Sequence, residues 1–240
     1  MRRCSLTRFR LLASASTLIL AFSADARAQV RNLPLATVEG LALINATAEP
    51  ATHQGRTGLR VVVSDDALKR ATPADGELNP LAVIQGVEFS DGVIEAEIAG
   101  APGPGAAEGA RGFVGIAFRM QKDARTYDAF YLRPTNGRAD DQVRRNHSAQ
   151  YISNPAWPWP RLRKESPEKY EAYVDLVPGE WTKVRIEVRG EQARLYVHDQ
   201  PQPTLIVNDV KSGAKGGGAV ALWVGPGTIA HFRNVTIRAN

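Results

Sequence analysis

Apolar and polar residues alternate at period two along most of the chain, in short runs separated by turn residues. The pattern is clearest in the C-terminal third. Residues 181–189 set Val184, Ile186 and Val188 on one face and Lys183, Arg185 and Glu187 on the other. Strand side chains point alternately to two faces, so this predicts a half-buried strand. Gly190-Glu191 turns the chain, and Ala193, Leu195 and Val197 line the return strand. Residues 93–99 alternate just as cleanly behind an Asp91-Gly92 corner, with Ile94, Ala96 and Ile98 facing one way and Glu95 and Glu97 the other. Further strands are predicted at 41–46, 59–64, 81–85, 112–121, 127–133, 169–175, 204–207, 219–224 and 229–237. In 112–121, Val114, Ile116 and Phe118 share a face; Gly115 on the other predicts close backbone approach, and 127–133 is expected to pair with this strand. Residues 66–70 predict one helical turn at most, and the Gly-, Ala- and Pro-rich segment 100–112 reads as a flexible loop. Many short strands and frequent turns predict an all-β fold, a two-sheet antiparallel sandwich.

One stretch departs from the pattern. Residues 127–159 open as a strand, with Ala129, Tyr131 and Arg133 on one face and Asp128, Phe130 and Leu132 on the other. They pass through the turn signal Pro134-Thr-Asn-Gly137 into Arg138, Asp140, Asp141, Arg144, Arg145, Asn146 and His147, and close on Tyr151, Trp157 and Trp159 between prolines. Flat rings cover the apolar faces of a sugar, and guanidinium forks and carboxylates bind its hydroxyls. The stretch is therefore expected to form a pocket for a neutral saccharide from Tyr131, Arg133, Asn136, Arg138, Asp141, Arg144, Tyr151, Trp157 and Trp159. A long surface loop stitched by ion pairs is the alternative. Pro155, Pro158 and Pro160 favour a stiff, presented loop around the two indoles.

Composition changes meaning once the N-terminus is set apart. Residues 1–28 carry Arg2, Arg3, Arg8 and Arg10, then an apolar run from Leu11 to Phe22, then Ala26-Arg27-Ala28. This is the pattern of a secretory signal peptide cleaved before Gln29, and the run is too short to span a bilayer. The expected organisation is a leader over 1–28 and a single domain over 29–240, working in the periplasm or outside the cell. Removing the leader leaves 25 basic against 24 acidic residues, a net of about +1. That balance offers no electrostatic case for nucleic acid or for a membrane surface after cleavage. Cys4, the one cysteine, lies in the leader, so packing rather than disulfides must hold the domain together. The oligomeric state is left open.

Several segments together resemble the concanavalin A-like lectin/glucanase superfamily. They are Gly-Phe-Val-Gly-Ile-Ala-Phe-Arg at 112–119, Tyr-Asp-Ala-Phe-Tyr-Leu-Arg at 127–133, the Gly179-Glu-Trp turn, and the terminal His-Phe-Arg-Asn-Val-Thr-Ile at 231–237. Within that superfamily the likeness is to 3-keto-disaccharide hydrolase-like and laminin-G-like domains. It implies a jelly-roll sandwich and a function among lectins, lyases, hydrolases and adhesion modules. Glucanases of the superfamily carry Glu-x-Asp-x-x-Glu; here Glu95-Ala-Glu97 places two carboxylates roughly 6.5 Å apart along a strand, but Gly100 stands where the third would fall. A solvated strand face is the expected role of that pair. The candidate catalytic groups are Asp128, Asp140, Asp141 or Glu165 as base, with His147 as acid/base partner. No zinc motif is present, no cofactor is expected, and Asp140-Asp141 is the one weak suggestion of calcium. Three functions follow: saccharide recognition, keto-sugar hydrolysis, or a structural module without a ligand.

Overall fold

The computed structural model describes residue 1, residues 29–70, residue 78 and residues 80–240. Apart from Met1, the predicted leader lies outside the described residues, as does most of 71–79. The chain runs β1 (Gln29–Leu33), β2 (Leu41–Ile44), β3 (Ala46–His53), β4 (Arg56–Val63), α1 (Asp65–Arg70), β5 (Leu81–Phe89), β6 (Gly92–Pro102) and β7 (Val114–Met120). It continues through β8 (Tyr127–Leu132), α2 (Gln142–Asn146), β9 (Ala149–Asn154), α3 (Trp159–Glu165), β10 (Glu171–Ala172), β11 (Thr182–Arg189), β12 (Gln192–Val197), β13 (Leu205–Val207), β14 (Gly218–Val224) and β15 (Thr228–Ala239).

Two antiparallel sheets pack face to face. One has the order β13-β12-β11-β6-β15-β4-β3, with β1 also on β15; the other has the order β10-β9-β8-β7-β14-β5-β2. The alternation described above explains the core. Ile94, Ala96, Ile98, Val184, Ile186 and Leu195 of the first sheet are buried against Ile116, Phe118, Phe130 and Leu222 of the second. Each large apolar side chain so buried contributes roughly 1.5–3 kcal/mol. The opposite face of β6 is polar: Glu95 accepts from Arg238, and Glu97 from Arg56 and Asn234. The Glu95/Glu97 pair therefore belongs to an ion-pair lattice on the outer face.

Strands β7 and β8 pair as expected. A Cβ on Gly115 would lie 2.2 Å from the Phe130 carbonyl oxygen, so the close approach there is real. Elsewhere the expectations need correction. β6 runs on to Pro102 through the segment read as flexible, and Gly100 packs against Gly112 and Val114. The strand expected at 169–175 shrinks to the two residues of β10. Three strands, β1, β3 and β9, were not predicted. β3 carries Pro50 and few apolar residues, as an edge strand tolerates. β9 hides Gln150, Ser153 and Asn154 inside, so its polarity masks it. Trp159 does not stand on a presented loop. It opens α3, where Pro158 is the N-cap and Pro160 lies in the first turn, a place that spares the missing N–H.

Candidate functional site

Strand parity sorts the residues of 127–159. Asp128 and Tyr151 point between the sheets with Phe130. Both are fully buried, and the Tyr151 hydroxyl donates to Asp128 Oδ1 at 2.6 Å. Burial, reinforced by the Asp128 charge, pushes the Tyr151 hydroxyl pKa up. These two are interior groups rather than pocket walls, which corrects their candidacy as base and as sugar platform. Tyr131 lies on the opposite face of the second sheet. Cross-strand registry aligns Trp223, Gly115, Tyr131, Gln150 and Glu171 in one row. Because Gly115 has no side chain, the rings of Tyr131 and Trp223 stack above it at 4.7 Å.

Arg133, just beyond β8, gathers the end of this row. Its guanidinium donates to Glu171 Oε1 at 2.9 Å, the Tyr131 hydroxyl at 2.9 Å, Gln150 Oε1 at 3.0 Å and the His147 carbonyl at 3.0 Å. The rings of Phe113, Tyr131 and Trp159 surround it. Arg163 of α3 grips both oxygens of Glu171, with Nε at 2.9 Å from Oε2. Burial alone would raise the Glu171 pKa, but the hydrogen bonds from Arg163 and Arg133 outweigh it and hold the carboxyl below its ordinary range. His147 follows α2, and its Nε2 lies 3.6 Å from Glu171 Oε2. Burial lowers the imidazole pKa; Glu171 opposes this, and Arg163 and Arg133 add to it. The outcome is a neutral imidazole beside an ionised carboxylate. Both border a cavity of about 180 Å³ lined by Asn146, His147, Glu168, Glu171, Ala172 and Tyr173. Tyr173 is exposed, and Arg145 lies over its ring and donates to its hydroxyl.

The remaining candidates are scattered around this corner. Asn136 is buried and bridges Arg144 Nε to the His147 carbonyl. Arg138 makes a bidentate pair with Asp175 in solvent. Asp141 caps α2 by accepting from the Arg144 amide, and Asp140 beside it is exposed. Among the described residues no group of three His, Cys, Asp or Glu side chains is placed to hold a metal ion, so the calcium suggestion at this pair finds no support there. Glu165 pairs with Arg161 on the exposed side of α3. Trp157 and Trp159 are half-buried under cations: Arg161 and Lys211 over the first, Arg163 over the second. Glu171, Gln150, Arg163 and Tyr173 were not singled out from sequence. The available signal was Glu171 on one face of a predicted strand with Tyr173 and Asp175, opposite Tyr170, Ala172 and Val174.

Residues 44–238 match the family model described as 3-keto-alpha-glucoside-1,2-lyase-like domain. No curated protein matches the chain. The carbohydrate binding module CBM66 from Bacillus subtilis superposes with a TM-score of 0.55 at 14% identity, over 82% of this chain and 95% of that one. A Bacillus subtilis protein of unknown function with a galectin-like fold gives 0.55 at 9% identity, over 87% and 94%. The Crh5 transglycosylase in complex with NAG gives 0.50 at 9% identity, over 88% and 83%. At these identities the likeness is one of fold.

Proposed function

Because the chain belongs to the 3-keto-alpha-glucoside-1,2-lyase-like domain family, we propose that it handles a saccharide at the His147–Glu171 corner and cleaves a 3-keto-glucoside there by elimination. The observation that carries this reading is the His147 ring, with Nε2 3.6 Å from the doubly gripped Glu171 carboxylate, both on the wall of one cavity. A keto group at C3 acidifies the hydrogen on C2. With its proton-bearing nitrogen turned to Glu171, His147 offers its other ring nitrogen as the base. The C2–H bond breaks, its electrons move into a C1=C2 bond, and the glycosidic C1–O bond breaks. The departing oxygen then takes up a proton. In this reading, negative charge gathering on the keto oxygen is met by Arg163, the more exposed of the two guanidiniums that hold Glu171. Tyr173 supplies an aromatic face for the ring.

Recognition without turnover is the second reading. It is favoured by the tight double grip on Glu171, which commits that carboxylate to Arg133 and Arg163. Incubation with a 3-keto-α-glucoside and with the corresponding plain glucoside separates the two. The lyase reading expects release of the leaving alcohol from the keto sugar alone, and its loss in His147→Gln with sugar binding retained. Binding of both sugars with no release supports recognition; binding of neither removes both readings. Export stands with this proposal, and an exported protein whose N-terminus is Gln29 is its expected sign.

A further inference from the structure

The polar groups on the cavity wall differ in what they leave for a ligand. Glu171 gives both oxygens to Arg133 and Arg163, and the Tyr173 hydroxyl accepts from Arg145. His147 turns Nε2 toward Glu171. Two wall residues stand apart. Asn146 closes α2, where its Oδ1 accepts from Gln142 Nε2 at 2.7 Å. That bond fixes the amide and leaves Nδ2 as its open end. Among the described residues no acceptor meets Nδ2. Glu168 is exposed, and among the described residues no donor or cation pairs with its carboxylate.

The backbone holds Glu168 with strain. Residues 166–169 form a turn closed by the Lys169 amide on the Ser166 carbonyl at 3.3 Å, with Pro167 second and Glu168 third. Glu168 has φ +64°, a left-handed conformation. In a turn with proline second and a left-handed residue third, glycine is the ordinary third residue, and a side chain there is strained. Both flanks are pinned. The Ser166 amide donates to the Leu162 carbonyl at the end of α3. The buried Tyr170 donates its hydroxyl to Asp209, and its carbonyl accepts the Tyr151 amide. The turn thus presents a carboxylate at the cavity from a rigid mount, and no contact among the described residues accounts for a glutamate there.

We infer that Glu168 and Asn146 recognise one hydroxyl of the reacting sugar ring, the hydroxyl donating to the Glu168 carboxylate and accepting from Asn146 Nδ2. The inference rests on the saccharide reading above and names the groups that orient the ring against His147. A hydroxyl is donor and acceptor at once, so a carboxylate and an amide N–H together satisfy it; an ether or keto oxygen cannot complete that pairing. The cavity, at about 180 Å³, is smaller than the roughly 300–1,000 Å³ of pockets that enclose larger ligands. It takes one ring, and the recognised hydroxyl is on the ring that His147 acts on. The substrate is then a sugar whose reacting ring leaves that hydroxyl unsubstituted.

The test is a calorimetric titration of the intact protein with methyl α-glucoside and methyl 3-keto-α-glucoside, the latter in the His147→Gln background so that release does not intrude. The 2-, 4- and 6-deoxy forms of the tighter ligand follow. One deoxy form is expected to bind about tenfold weaker than its parent, the loss of one charge-assisted hydrogen bond. Glu168→Gly should weaken the parent sugar by about as much, and that same deoxy form should bind with and without the substitution alike. Asn146→Ala should act at the same position of the ring. Glu168→Gly should melt no lower than the protein it is made in, since glycine takes the left-handed turn without strain; should it melt lower, Glu168→Gln decides the matter. Unchanged affinity for the parent sugar in the Glu168 variant overturns the inference and leaves the saccharide reading standing. A variant that weakens every deoxy form as much as the parent overturns it too, because Glu168 would then act through no ring hydroxyl. Binding of neither sugar removes the inference together with the reading it rests on.

Discussion

Glu171 sets what His147 can do. Burial opposes its charge, two guanidiniums more than restore it, and the carboxylate in turn keeps the imidazole from falling further. Glu171→Gln should therefore act twice. It leaves Arg133 buried without its counter-ion, at a cost of about 3–5 kcal/mol that denaturant unfolding would read. It also removes the larger of the two negative charges, Glu171 and Glu168, that raise the His147 pKa, so the ring should titrate lower still. In the lyase reading, turnover is constant above the ordinary histidine range and falls only at more acid pH, where His147 gains its proton. In Glu171→Gln that fall should move to lower pH while the plateau rate drops. A ring titration of His147 by NMR checks both, and an unmoved acid limb would show that the two groups are not coupled. Arg133, Asn136 and His147 were legible as residues because polar side chains in such density have few structural uses. Glu171 was not. Its meaning comes from Arg133 and Arg163, which reach it through the β9–β10 pairing and α3, neither of which follows a period in the sequence.

The element that presents this corner is the β7–β8–β9 block, and Gly115 is its narrowest point. The backbone of β8 passes so close that a Cβ there would meet Phe130 O at 2.2 Å and the Tyr131 Cα at 2.6 Å. Gly115→Ala should cost about 1–3 kcal/mol by overpacking and separate the Tyr131 and Trp223 rings. Loss of near-UV circular dichroism beyond that of an equally destabilised core variant is the expected sign; an unchanged aromatic spectrum would contradict it. Period-two alternation made β6, β7, β8, β11 and β12 legible, because each has one face in the core and one turned from it. It also told Tyr131 from Phe130 correctly. It could not tell that the outward face carrying Tyr131 is covered, and it missed β9, which turns Tyr151 inward, so the two looked equally available although both are buried. The short helices stayed hidden because α2 and α3 are too brief to show a helical period, and their caps, Asp141 and Pro158, read equally well as loop residues.

At the scale of the whole molecule, polar side chains tie loops that the core does not reach. Arg119 is fully buried with its backbone at φ +53°. It donates to the Ser90 carbonyl, Asp91, the Gly190 carbonyl, Ser212 and the Gly213 carbonyl, joining three turns at one end of the sandwich. Arg119→Met should strand five acceptors and lower stability by about 3–5 kcal/mol, measurable as a lower denaturation midpoint with the β-sheet spectrum kept. On the outer face of the other sheet, His231 of β15 stacks on His53 of β3 at 4.0 Å. His53 Nε2 contacts the Gly179 carbonyl, and the Trp181 indole donates to the His53 carbonyl. Burial, then the neighbouring His53 and Arg60, lower the His231 pKa to about 4. The unfolded chain takes up this proton near pH 6.5 and the folded chain only near 4, so the unfolded state binds more protons between those values. Stability must then fall as pH falls through that window. The loss should be about 1–2 kcal/mol, below the full linkage value because the ring is partly wet. His231→Gln cannot take up the proton, so its melting temperature should decline less than that of the unsubstituted protein between pH 6.5 and 4. Parallel declines for the two proteins would mean that the stacked pair accepts its proton without loosening the sheet.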